Sequence, residues 1–203
     1  MGFEVCFAEE DRSIDDAEDE MADKIFEAFL KRQYEEGMAL AGASDLLELL
    51  PMGGDPPDRY IAQFRCKGLV RPQNSDVSET DYFEVGIWFP SDYLRRADPF
   101  QILTWLGPSN VFHPNISDKM PFICVGKLAP NTALVDILYQ CFEIITFNKV
   151  TMREDDALNM QACVWARENQ QRFPIDRRPL KRRALDLKVQ QADALGISSE
   201  LQA

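Results

Sequence analysis

Cys124 is the residue of this chain best placed to do chemistry. Cys66, Cys141 and Cys163 fall on apolar faces of periodic segments, where a thiol serves as a small buried hydrophobe, whereas Cys124 stands beside Val125-Gly126 in a loop-like stretch. A thiolate in such a place can attack an acyl carbon and hold the acyl group as a thioester. Nine residues earlier comes His113-Pro114-Asn115. Read alone, Asn115 suits the capping of a turn. His113 is the only histidine, so a metal site built on several histidines is excluded, as is any Cys–His mechanism that does not use it. A cysteine hydrolase pairing Cys124 with His113 needs a base free to move between accepting and donating a proton. A histidine held between Phe112 and Pro114 is poorly suited to that.

The cysteines number five, with Cys6 the first, and include no C-x-x-C pair. This argues against a disulfide framework or a zinc site and for free thiols in a reducing compartment. The 203 residues and 45% hydrophobic content suit one domain of ordinary size plus extensions. No stretch approaches the roughly 18 to 20 uncharged apolar residues of a membrane span, and the start lacks the layout of a secretory signal. A cytoplasmic protein with no membrane partner is expected. The net charge of −12 is uneven, since residues 1–58 hold 17 acidic and 4 basic side chains and the remainder is near neutral. The one basic cluster, Arg177 to Arg183, is short and late in the chain, which speaks against nucleic acid as a partner.

These residues need elements to position them. Residues 1–20 are acidic and poor in periodic apolar residues, as a flexible arm is. From Met21 the stripe Ile25, Phe26, Phe29, Leu30 predicts an amphipathic helix weakened at its end by Gly37 and Gly42. Asp45 to Leu50, with Glu48 in a capping arrangement and Pro51 as a stop, reads as a further helical turn or two. Alternation over Tyr60–Lys67 and Tyr82–Phe89, and a β-prone run over Phe100–Leu106, predict three successive strands in an antiparallel meander. After Cys124, the spacing of Leu134, Leu138, Cys141 and Ile145 predicts a central, mostly buried helix. Asp156 to Gln171 reads as another helix, with Asp156 as a possible N-cap, ended by Pro174. The tail from Leu180, with Leu185, Leu187, Val189 and Leu195, reads as a last helix with a polar end.

Four stretches carry a resemblance: Phe89-Pro90-Ser91-Asp92-Tyr93, His113-Pro114-Asn115-Ile116, Ile123-Cys124 with Leu128, and Asp156-Ala157-Leu158-Asn159 with Ala162. In order and spacing over residues 59–174 they resemble the ubiquitin-conjugating enzyme family. The resemblance implies an α+β ubiquitin-conjugating fold: an N-terminal helix, an antiparallel meander, a central buried helix and C-terminal helices. It implies a catalytic domain over 21–174, between the acidic arm of 1–20 and a basic cluster and tail over 175–203. It also implies an acyltransferase without cofactor or metal. Cys124 would accept a ubiquitin-like protein from an activating enzyme and pass it to a lysine of a target, with or without a ligase. By resemblance, Asn115 stabilises the oxyanion or orders the loop that does so, Asp156 orients the incoming lysine, and His113 and Pro114 are structural parts of the active-site loop.

The chain departs from the family pattern in several places. Asn115 and Cys124 are one residue further apart than usual, Pro121-Phe122 replaces the commoner glycine, and Gly126 sits where an acidic residue is frequent. Leu94 and Ala157 replace prolines. Together with the acidic arm, these make the chain similar to the conjugating-enzyme homologues of bacterial ubiquitin-like antiviral operons. Partner contacts implied by the resemblance fall around Ile25–Lys31, Tyr93–Pro99 and Ala129–Ala133, with Leu94, Arg95 and Arg96 as a small apolar and basic patch. The rival within the same fold is a non-catalytic scaffold, and such variants typically lack the cysteine.

Overall fold

The computed structural model describes the backbone of residues 10–182 other than Asn74, with side chains described from Glu20 onward. The architecture is mixed α+β, with a long N-terminal helix, a four-stranded antiparallel sheet, and further helices after it. Helix α1 (Glu10–Gly42) carries six Glu and five Ala among its 33 residues and has no proline. It begins well before Met21, so residues 10–20 are helical where a flexible acidic arm is expected. Acidic side chains stabilise the N-terminal end of a helix, and the Glu20–Lys24 ion pair spans the expected boundary at 2.7 Å. Residues 1–9 lie outside the described part.

Gly37 does not weaken the end of α1; it lies within the helix where this crosses the core. A Cβ at Gly37 would stand 2.7 Å from Leu134 Cδ2 and 3.0 Å from Leu49 Cδ2, so a side chain is excluded by packing. Gly37→Val is expected to lower the unfolding free energy by about 1–3 kcal/mol through overpacking, read as an earlier midpoint in urea. An unchanged midpoint would mean that the helix does not approach this closely. One turn earlier, fully buried Gln33 accepts a hydrogen bond from Leu134 N at 2.7 Å. That bond caps the central helix, whose own N-cap residue Ala133 has no side chain able to do so.

The sheet runs in the order β1 (Leu47–Met52), β2 (Arg59–Phe64), β5 (Phe83–Trp88) and β6 (Leu103–Gly107). Strand β2 overlaps the alternating run Tyr60–Lys67 but ends at Phe64, β5 falls within Tyr82–Phe89, and Tyr60, Ala62, Phe64, Phe83, Val85 and Ile87 are all buried in the core. Strand β1 (Leu47–Met52) corrects the helical reading of Asp45–Leu50. Leu47 and Leu49 are buried and Glu48 exposed, which is the period of a strand. Pro51 is tolerated there because β1 is an edge strand and pairs on one side only. The run Phe100–Leu106 is split: Pro99–Ile102 forms a single helical turn, α2, capped by the Asp98 carboxylate on Phe100 N, and β6 (Leu103–Gly107) follows. A short hairpin of β3 (Gly68–Val70) and β4 (Ser78–Thr80) stands apart from the main sheet.

Helix α3 (Leu134–Ile145) is the expected central helix and buries Leu134, Ile137, Leu138, Cys141, Phe142, Ile144 and Ile145. Helix α4 (Met160–Glu168) is shorter than the expected Asp156–Gln171. The packed body continues beyond Pro174: Ile175 N donates to Thr146 O, Leu180 is buried, and Arg182 N donates to Ala43 O. Asp176, 4% exposed, ties this stretch to the connection between β2 and β3 by accepting from Lys67 N, and it accepts as well from the backbone and guanidinium of Arg178. Burial alone would raise its carboxyl pKa, but these bonds overcome it and hold the pKa down at about 2. Arg178 and Arg182 of the basic cluster are thus engaged in ion pairs, with Asp176 and Asp45. The expected last helix falls on residues 183–203, outside the described part. Among the described residues no helix is long and apolar enough to cross a membrane.

Candidate active site

The segment before His113 is held by the β3 strand: Phe112 N donates to Leu69 O at 2.9 Å, Arg71 N donates to Asn110 O, and Val70 bridges Val111. His113 then enters the interior and is 1% exposed. Its Nδ1 accepts from Asn115 N at 3.0 Å, its ring lies edge-on to Phe147 at 4.2 Å, and its Nε2 has no partner. Burial pushes its pKa down to about 3. The imidazole is therefore neutral and occupied in holding the turn, and Cys124 makes no hydrogen bond to it.

Asn115 and Cys124 lie opposite each other on two short antiparallel arms. Cys124 N donates to Asn115 O at 2.8 Å, Ile116 bridges Ile123, and Ser117 N donates to Phe122 O. The turn over residues 117–121 closes the far end of the arms. There Ser117 Oγ accepts from Lys119 N and Met120 N.

The Asn115 side chain bridges two segments. Its Nδ2 donates to Cys124 O at 3.2 Å, and its Oδ1 accepts from Thr151 N at 2.9 Å. One amide hydrogen is thus committed to the cysteine loop and one is left, with Asn115 7% exposed. Cys124 is half-buried, while Cys66, Cys141 and Cys163 are buried, as their apolar settings predict. Burial pushes all three buried thiols up, Cys141 to about 12 against the opposing influence of Lys149. Thiols so protonated are poor nucleophiles.

The Asp156 carboxylate makes no hydrogen bond to His113, Asn115 or Cys124. Asp156 ends a 3-10 turn (Glu154–Asp156), is exposed, and pairs with Arg153 Nε at 3.4 Å. It is not the N-cap of α4 either; Asn159 is, through Oδ1 and Ala162 N at 3.0 Å. The run does reach the site through its backbone, since Leu158 N and Asn159 N both donate to Pro114 O. Tyr93 works in the same indirect way. Its ring packs on Phe89 at 4.8 Å and its hydroxyl donates to Thr132 O at 2.8 Å, which anchors the loop between Cys124 and α3.

No family model and no curated protein matches this chain. The site consists of a half-exposed thiol at the base of a pinned hairpin, an amide donating to the carbonyl of the same cysteine, and a buried histidine two residues before that amide. Among the described residues no cluster of three or more His, Cys, Asp or Glu could hold a metal ion.

Lys149 escaped the sequence reading. Its Nζ donates to Val125 O at 2.5 Å and to Gln140 Oε1 at 3.4 Å. No periodicity marks it, because its partners lie 24 and 9 residues away.

Proposed function

We propose that this chain is a ubiquitin-conjugating-type enzyme that carries a ubiquitin-like protein as a thioester on Cys124 and transfers it to a lysine. The observation that carries the reading is the pairing of Asn115 with Cys124, from the motif His-Pro-Asn to the one half-exposed thiol among the described cysteines. The thiolate attacks the thioester delivered by an activating enzyme, and the departing thiolate leaves. The new thioester is then attacked by the neutral amine of a lysine, through a tetrahedral oxyanion that collapses to the amide and frees the Cys124 thiolate.

Asn115 acts first by fixing the Cys124 loop, and its second amide hydrogen remains for the oxyanion. Asp156 acts on the lysine side: an exposed carboxylate, balanced by Arg153, that meets the incoming ammonium. The buried, neutral His113 counts against the hydrolase alternative, which needs a titrating base beside the thiol. The mixed α+β architecture is compatible with the ubiquitin-conjugating fold. The activating enzyme and a ligase would meet the groove between α1 and the loop after β5, lined by Ile25, Phe26, Leu94 and Arg95. The setting is a cytoplasmic conjugation pathway, of the bacterial antiviral kind that the departures resemble.

The test is incubation with ATP, the cognate activating enzyme and its ubiquitin-like protein, followed by electrophoresis with and without reductant. An adduct that reductant removes and that Cys124→Ala abolishes is expected. A competent activating enzyme that yields no adduct overturns the reading.

A further inference from the structure

We infer that Lys149 is a positioning residue of the Cys124 loop, an assignment that rests on reading Cys124 as the acyl carrier. At the end of α3 the chain reverses through Phe147, whose φ of 61° is a left-handed conformation that a bulky aromatic rarely adopts. Phe147 is held there by the His113 ring at 4.2 Å and by stacking on Phe173 at 4.7 Å. The reversal lets Asn148 N and Lys149 N both donate to Glu143 O, at 2.8 and 3.0 Å. The Lys149 side chain is thereby returned over α3, against Gln140 and the Val125 carbonyl.

Two consecutive carbonyls are pinned in this way, Cys124 O by Asn115 Nδ2 and Val125 O by Lys149 Nζ. Both pins depend on the same short segment, since Thr151 N holds the other end of the Asn115 amide. Immediately beyond, Gly126 turns the chain at φ +93°, and its missing Cβ would lie 3.7 Å from Lys149 Nζ. The ammonium therefore covers the turn that follows the reactive thiol. An ammonium donating to a carbonyl makes a stronger bond than a neutral donor does and holds it at a fixed point. Lys149 accordingly sets the path of the backbone just beyond Cys124, as Asn115 does at Cys124 itself, and the direction of the Sγ follows from both.

The experiment compares wild type, Lys149→Met and Lys149→Arg in the full chain. In Lys149→Met, amide exchange of the peptide carrying Cys124–Leu128 should quicken by about tenfold while that of α3 and the melting temperature stay unchanged. Discharge of the charged enzyme onto free lysine should slow by about tenfold, in kcat rather than in KM. Lys149→Arg, which keeps a charged donor, should restore both, and it decides the matter if the methionine variant proves unstable throughout: failure to restore either overturns the assignment. Unchanged exchange and unchanged discharge in Lys149→Met, with a wild type that charges normally, overturn the role of Lys149 alone. A wild type that never charges, with the loop still loosened in Lys149→Met, overturns the acyl-carrier reading and leaves the pin demonstrated.

Discussion

Asn115→Ala should charge with the modifier almost normally and then release it to lysine on the order of 100- to 1,000-fold more slowly than wild type. The two steps separate because charging exchanges one thioester for another, whereas discharge passes through an oxyanion that must be met by a donor. The alanine removes both ends of a bridge. Cys124 O loses its donor and Thr151 N loses its acceptor. Stability should therefore fall as well, by about 1–3 kcal/mol for partly buried groups left unsatisfied. Asn115→Asp separates the contributions, because it keeps an acceptor for Thr151 N while losing the donor to Cys124 O. Single-turnover discharge onto free lysine reads the effect directly. Equal rates in wild type and Asn115→Ala would remove Asn115 from the mechanism.

Acidification should destabilise the protein through His113. Its pKa is lowered from the usual 6.5 to about 3 by burial, so below pH 6.5 the unfolded chain binds a proton that the folded state refuses. The contribution is complete above pH 6.5 and is lost as pH falls towards 3. At about 1.4 kcal/mol for each tenfold change in proton activity, the loss between pH 6.5 and 4 amounts to roughly 3 kcal/mol. Asp176 works in a lower window. Its depressed pKa supplies stability that is present above about pH 4 and fades towards 2. The two are separated by comparing wild type with His113→Asn in urea at pH 7, 5.5 and 4, since asparagine offers Asn115 N an acceptor but does not titrate. Wild type should lose stability much more steeply between pH 6.5 and 4. Parallel profiles would show that His113 is not held neutral in the folded state.

Much of the positioning framework was legible in the sequence, and what was missed has physical reasons. Strands β2 and β5 and helix α3 show themselves because one face of each is buried, so burial prints a period of two or of about 3.6 on the residue types. The segment at Leu47–Met52 was misread because four leucines among the five residues 46–50 carry no clear period, and a proline that fits an edge strand also fits a helix stop. The continuation of α1 through residues 10–20 rests on backbone propensity and charge rather than on an apolar stripe. Strands β3 and β4 are three residues each, too short to show a period.

At the site, Cys124, Asn115 and His113 stood out by type and spacing. Their connection through Thr151 and Lys149 did not, because contacts between distant segments leave no mark on local sequence. Asp156 shows the converse. Its motif is placed against Pro114 by the backbone of Leu158 and Asn159, while its carboxylate faces solvent and Arg153.

The most direct test of acyl transfer through Cys124 is the intact mass of Cys124→Lys after incubation with ATP, the activating enzyme and the ubiquitin-like protein. Lysine there should capture the modifier as an amide that survives thiol and hydroxylamine, so the chain should gain the modifier's mass less one water at position 124. An unmodified Cys124→Lys chain, together with a wild type that forms no thiol-sensitive adduct, would contradict the account.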